Sequence, residues 1–300
     1  MSAIADLRER LSRGEIDKPS YIHERHQHWS RLFDLAAELR ATGALRSIEL
    51  TDEGQVLFTD REFGIRMVVD PRDERVAPIE MLNFGPYEPE LARVMDAELS
   101  RARVFLDIGG NYGYYSVGFA RRYPALQVEA FEPIPGTRAY LTRNRDLNAA
   151  ANVSIHDTAL GRSRGEIDFY FYPEGSGNAS SRPMDEARQQ THLKLPVTTL
   201  DAWLQDRPAT KPDFIKIDVE GAELWVLEGA RETLRRHRPV VACELLRKWS
   251  RKFDYHPNDA IRFMREIGYS CFAVSESGPV ECNEVTEETV ETNYLFRVEG

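Results

Sequence analysis

The chain has 300 residues, 42% of them apolar and 29% charged, and its 39 Lys and Arg against 49 Asp and Glu give a formal net charge of −10. That length and apolar content suit one large domain, or a core with an added subdomain, able to bury a full interior. The acidic balance argues against a nucleic-acid partner, which is gripped through Lys and Arg, and no apolar run is long enough to span a bilayer, so no membrane partner is expected.

Residues 1–16 mix Arg, Glu and Asp with single apolar residues, which is not the pattern of a signal peptide. Cys243, Cys271 and Cys282 form no C-x-x-C pair, which predicts a reduced, cytoplasmic chain without a zinc site. Residues 1–45 read as helices, with Ile22, Trp29, Leu32, Phe33, Ala36 and Leu39 on one amphipathic stripe. His23, His26 and His28 lie on the same stretch among Glu and Arg and read as a solvated face, not a metal cluster. Short β-type runs follow at 56–58 and 65–69, closed by Pro71. Residues 1–80 are thus expected to form a helical and small β extension that caps a site or pairs two subunits as a homodimer. Residues 81–300 then form the main domain, entered by a helix at 90–99 after Pro86-Tyr87-Glu88-Pro89.

From Val104 the chain alternates strands and helices. Strands are predicted at 104–108, 128–132, 153–156, 214–218, 239–244, 269–274 and 293–298, with an extra one at 167–172. Helices are predicted at 114–122, 137–147, 222–236 and 257–267. Such alternation implies a mainly parallel sheet covered on both faces, and the last two strands, lacking a helix between them, predict an antiparallel pair. Residues 276–300 hold seven Glu and one Arg. Most of that charge falls in the connection before the last strand, an exposed loop that says little about a catalytic pocket.

Asp107-Ile108-Gly109-Gly110-Asn111-Tyr112-Gly113 ends the first core strand and opens a helix. Glycine lets a backbone approach a ligand, the helix start offers free N–H groups, and Asp107 can meet a ligand ammonium group. The glycines at 109, 110 and 113 do not match G-x-G-x-x-G, and no phosphate loop is present, so a pyrophosphate ligand and a nicotinamide oxidoreductase are disfavoured. Glu132 ends the second core strand, beside that loop in a parallel sheet, where a carboxylate accepts ribose hydroxyl protons. Loop and acid together describe a nucleoside with a charged amino-acid tail, which S-adenosylmethionine is. Asp157, Thr158 and Ala159, after the third strand, are candidates to border its adenine.

These segments resemble the FkbM family of class I S-adenosylmethionine-dependent methyltransferases. Asp107-Ile108-Gly109-Gly110-Asn111-Tyr112-Gly113-Tyr114-Tyr115-Ser116 is similar to the family's cofactor loop, and Phe131-Glu132-Pro133 to its ribose-binding strand end. The most selective segment is Phe214-Ile215-Lys216-Ile217-Asp218-Val219-Glu220-Gly221-Ala222-Glu223, with Thr199-Leu200-Asp201 before it; Gly110 stands where alanine is usual. The resemblance covers about residues 87–298. It implies a Rossmann-like α/β fold whose seven-stranded, mainly parallel sheet runs 3-2-1-4-5-7-6 with an antiparallel last strand. It also implies methyl transfer to an oxygen of a sugar or hydroxylated secondary metabolite. Transfer to nitrogen or a peptide side chain, and a non-catalytic cofactor-binding role, remain as alternatives.

A hydroxyl acceptor needs a base near it. Asp218 ends the fourth strand and Glu244 the fifth, so both are expected at the acceptor or sulfonium end. Glu220 either contacts the acceptor or steadies the N-terminus of the next helix through its dipole. Glu244 reads equally as base, substrate ligand or satisfied strand-end acid. Lys216 reads as an ion-pair partner of Asp218, and His256 as a base or a surface turn residue. Acids at 218 and 244 suit magnesium, but no compact metal motif supports it and none is predicted. Gly175-Ser176-Gly177-Asn178-Ala179-Ser180-Ser181 reads as a polar loop whose Asn178 and Ser180 hydrogen-bond a polyhydroxylated acceptor.

Overall fold

The computed structural model describes residues 3–172, 175–180 and 191–298. Two helices, α1 (Ala3–Ser12) and α2 (Lys18–Thr42), precede a three-stranded antiparallel sheet of β1 (Leu45–Leu50), β2 (Val56–Asp60) and β3 (Arg66–Val68). Then come α3 (Ala77–Phe84), α4 (Pro89–Leu99), β4 (Val104–Ile108), α5 (Tyr114–Arg122), β5 (Gln127–Phe131), α6 (Pro135–Leu147) and β6 (Val153–His156). An inserted sheet uses β7 (Ala159–Leu160), β8 (Gly165–Tyr172), β9 (Gly175–Ser180) and β10 (Thr191–Thr198). The chain closes with α7 (Leu200–Gln205), β11 (Phe214–Ile217), α8 (Glu223–Glu228), α9 (Arg231–His237), β12 (Val240–Glu244), α10 (Arg247–Ser250), a 3-10 turn at Arg251–Phe253, α11 (Pro257–Glu266), β13 (Ser270–Ser275), β14 (Gly278–Glu281) and β15 (Asn293–Arg297).

The main sheet runs β6-β5-β4-β11-β12-β15-β13-β14. Its first seven members follow the expected 3-2-1-4-5-7-6 order, and β15 is antiparallel to both neighbours. The difference is the eighth strand, β14, which hairpins onto β13 within the acidic connection. Successive residues of each core strand feed opposite apolar clusters. Phe105, Val128, Phe214 and Leu295 pack with α4, α5 and α6 on one face, and Leu106, Ile215, Val241 and Phe296 pack with α7, α8, α9 and α11 on the other. Two-sided burial explains why these strands are mostly apolar. Each fully buried Phe contributes about 1.5–3 kcal/mol by removal from water.

The N-terminal sheet is fastened to this core. Phe58, Ile65 and Met67 share an apolar cluster with Phe105 and Val117. Asn144 of α6 and Asn148, which caps that helix, bond its edge strand: Asn144 Oδ1 accepts from Val68 N at 2.8 Å, and Asn148 Oδ1 from Arg66 N at 2.9 Å. α2 instead buries no residue, and Trp29 and Phe33 are 45% and 72% exposed, so they are not core residues of this chain. No described helix is long and apolar enough to cross a membrane.

Several local expectations change. The single helix at 222–236 is two, α8 and α9, broken at Gly229-Ala230. The segment expected as a loop from Gly175 is strand β9, paired with β8, because the insertion builds its own antiparallel sheet. The side chains of Asn178 and Ser180 lie outside the described residues. β1, α3 and β10 are additional.

Candidate active site

The carboxyl ends of β4, β5, β11 and β12 meet at one edge of the sheet, where the strand order reverses around β4. Ligands of open α/β sheets bind at such switch points. A cavity of about 390 Å³ lies there, of a size that suits a small-molecule site.

The turn after β4 is held by backbone. Gly109 N and Gly110 N both donate to Phe131 O at 3.0 Å, which ties the loop to β5. Gly109 has φ 88, and a Cβ there would sit 1.8 Å from the Asp218 carbonyl oxygen. The glycine therefore lets the β4 and β11 ends close together. Gly109→Ala is expected to destabilise the fold by about 3 kcal/mol, from a strained φ plus a backbone clash, read as a lowered midpoint in urea unfolding.

Glu132 is buried, and its two oxygens accept from Asn111 N at 3.1 Å and Ile134 N at 2.9 Å. Burial raises its pKa to about 7 against the pull of those two amides. Asp107 is also buried. Ser116 Oγ donates to its Oδ2, while Oδ1 has no hydrogen-bond partner among the described residues. An unmatched buried acceptor on a cavity wall calls for a donor from a ligand, and an ammonium group fits it. Opposite, Ile134, Leu160, Ile167 and Phe169 form an apolar slot that suits a flat heteroaromatic ring. Ile167 and Phe169 alternate along β8; between and beyond them Asp168 and Tyr170 turn the other way to meet His192.

At the other end of the cavity, Lys216 Nζ pairs with Asp218 Oδ2 at 2.9 Å. Burial would lower the Lys216 pKa, but Asp218, Asp107 and Glu88 outweigh it and raise it. Asp218, Glu220 and Glu244 offer carboxylate oxygens all within 4.8 Å of one another. Burial first, then the charge of Asp218, pushes Glu220 and Glu244 well above the usual carboxylate range. Acids so arranged share protons or bind cations. Tyr87, Glu88 and Trp249 complete this end, and Arg75 and Lys248 stand near Glu220.

Of the sequence candidates, Asp107, Gly109, Gly110, Asn111, Tyr114, Glu132, Pro133, Ala159, Asp218, Glu220 and Glu244 all line this cavity. Three do not. Gly113 starts α5 at φ 88 and packs toward Leu141, where a Cβ would come within 2.3 Å. Asp157 points to solvent in the turn after β6, and Thr158, Ala159 and Leu160 form the wall in its place. His256 is exposed and caps α11, its Nδ1 accepting from Asn258 N at 3.3 Å, so it is a turn residue with a structural task. In the turn before α8, Glu223 Oε1 accepts from Gly221 N at 2.9 Å and Val219 N at 3.2 Å. Tyr87 and Glu88 were not anticipated, nor were Ile167 and Phe169, although the apolar alternation of β8 is a signal for the latter two.

The FkbM methyltransferase domain model matches residues 107–271, more than half of the chain. The chain belongs to the FkbM methyltransferase family. Methyltransferase 1 of Beauveria bassiana is 33% identical over 141 residues, which are 41% of this chain and 57% of that protein. The 2-O-methyltransferase NoeI of Sinorhizobium fredii is 30% identical over 149 residues, 45% of this chain and 60% of that protein. The hexuronic acid methyltransferase AglP of Haloferax volcanii is 29% identical over 150 residues, 49% of this chain and 58% of that protein. The matches thus reach a little under two thirds of each relative's length. The FkbM match includes the glycine loop, Glu132 and the Asp218 segment, but not Tyr87 or Glu88.

Proposed function

We propose that this FkbM methyltransferase methylates a hydroxyl oxygen of a sugar or hydroxylated small molecule. The observation that carries the reading is the close group of Asp218, Glu220 and Glu244 beside the cofactor loop. A hydroxyl is a weak nucleophile at neutral pH, and carboxylates of raised pKa are suited to take its proton. The relative NoeI is a 2-O-methyltransferase, which supports an oxygen acceptor, and AglP is a hexuronic acid methyltransferase, which supports a sugar-derived one.

When bound, S-adenosylmethionine supplies a methyl group already activated by its positive sulfur. The chain's part is to hold, orient and deprotonate. In this reading Glu132 accepts the ribose hydroxyls, Asp107 accepts the ammonium group, and the slot of Ile134, Leu160, Ile167 and Phe169 takes adenine. Asp218, held by Lys216, faces the methyl-donor end. Glu244 receives the acceptor's proton, with Glu220 close enough to share it. Alignment of acceptor oxygen, methyl carbon and sulfur supplies much of the rate.

The test is a methyl-transfer screen with labelled S-adenosylmethionine over monosaccharides, oligosaccharides and hydroxylated metabolites, with amine counterparts of each. Transfer to a hydroxylated acceptor is expected, with the label stable to base as an ether. Transfer confined to the amines, or to none of the panel, would overturn the oxygen reading.

A further inference from the structure

No motif links Cys271 and Cys282 in the sequence. The hairpin of β13 and β14 brings them face to face. Its register runs from Ser275 opposite Gly278 to Phe272 opposite Glu281, and one step further it sets Cys271 opposite Cys282. Cys282 N donates to Cys271 O at 2.8 Å, which holds that step of the ladder. Directly opposed residues of an antiparallel pair share a face of the sheet, with Cα atoms about 4.5–5.5 Å apart. That separation lies within the range a disulfide spans, about 4.4–6.8 Å. Both are free thiols, Cys271 buried and Cys282 half-buried, and both pack on the apolar cluster beneath α11. Each thiol is the other's hydrogen-bond partner. The third cysteine is out of reach. Cys243 lies in the same cluster but on β12, and β15 stands between β12 and β13. Two strand spacings are about 10 Å, more than a disulfide bridges without moving backbone.

We propose that Cys271 and Cys282 are a thiol–disulfide modification site, which takes a low-molecular-weight disulfide as its oxidant and, once closed, clamps β14 to β13. Cys282 is the entry, since it is the more exposed of the two. Burial raises both thiols, and the hydrogen bond between them raises Cys271 and lowers Cys282, which favours the same order. The Cys282 thiolate attacks one sulfur of the small disulfide and expels a thiolate. Cys271 then gives up its proton, attacks Cys282 Sγ and expels the second thiolate. Two thiols of the chain are oxidised to one disulfide, the small disulfide is reduced to two thiols, and both protons end on the expelled sulfurs. The clamp follows from the position of the pair. β14 is four residues long and bonds to the sheet through β13 alone. The turn at 275–278 closes one end of this hairpin, and the cysteines sit at the open end, where a short edge strand frays first.

The test treats the folded wild-type chain with glutathione disulfide at pH 8, then maps its peptides by mass spectrometry. The expected product has lost two hydrogens, carries a Cys271–Cys282 linkage with Cys243 unmodified, and returns to the starting mass with dithiothreitol. A lasting glutathione adduct on Cys282, a linkage through Cys243, or no reaction would each overturn the proposal. Cys271→Ser should stop at the mixed disulfide, with one glutathione on Cys282, and an adduct on Cys243 instead would contradict the assigned entry. The mapping on the wild-type chain stands whether or not that variant folds. Hydrogen exchange reads the clamp. The β14 amides are expected to exchange about tenfold more slowly in the oxidised protein than in the reduced one, and equal exchange in the two forms would overturn the clamp.

Discussion

Glu244→Gln is expected to lower kcat by about 10²- to 10⁴-fold, the range that a positioned general base contributes, while leaving S-adenosylmethionine affinity within about threefold. Glu244 ends β12 and shares its space with Asp218 and Glu220, and burial and those charges hold its proton to higher pH than an ordinary carboxylate. The active form of a base is deprotonated. Wild-type kcat should therefore rise with pH through an apparent pKa above the usual carboxylate range, and Glu244→Gln should lose that limb. Because Glu220 is raised by the same neighbour, the limb belongs to the group and not to one residue. Asp218→Asn should also lose most turnover. Full turnover in both variants would exclude the carboxylate mechanism.

Glu132→Gln is expected to weaken cofactor binding by about tenfold or more at pH 8, as hydrogen bonds to a charged acceptor become neutral ones. Gln keeps one acceptor oxygen for the amides of Asn111 and Ile134, whereas Ala would strand both. The wild-type effect should depend on pH. Burial raises Glu132 from 4.5 to about 7, so the charged acceptor is lost as pH falls through 7, and affinity for S-adenosylmethionine should fall with it. In Glu132→Gln that dependence should flatten. The ligand-free fold behaves in the opposite sense. A raised acid holds its proton longer folded than unfolded, so its stabilising contribution is complete below pH 4.5 and is lost as pH rises through 7. Titration calorimetry and thermal unfolding across pH 5 to 8 separate the two trends.

The parts of this molecule legible in its sequence are those where local pattern and global role coincide. Val104 to Ile108 and Phe214 to Ile217 are buried throughout and apolar but for Asp107 and Lys216, because both faces of their strands are covered, and Asp107 and Asp218 at their carboxyl ends reach the site by topology. The turn after β6 decides a finer question: Asp157, Thr158 and Ala159 are all candidates to border adenine, but Asp157 is exposed and Thr158, Ala159 and Leu160 reach the wall. His256 invited a chemical reading by residue type, although Pro257 and Asp259 behind it spell a helix start, and the capping box is what forms. Thr199 and Asp201, flagged by resemblance, likewise serve as caps: Thr199 Oγ1 accepts from Ala202 N at 3.0 Å and Asp201 Oδ1 from Thr233 N at 2.8 Å. Tyr87 and Glu88 were illegible for another reason. Their inward course depends on Asn293, 205 residues away, and no local period encodes such a partner.

Strand β14 has a bearing on how the molecule meets its own copies. Without it, β13 would end the main sheet as an open ladder of backbone donors and acceptors, a template on which another chain can add. β14 covers that ladder and is a poor template itself. It is four residues long, Pro279 contributes no N–H, Glu281 ends it, and Glu276 and Glu284 stand just outside it. The negative charge concentrated there thus guards the rim of the sheet against end-to-end growth, far from the cavity where the chemistry is set.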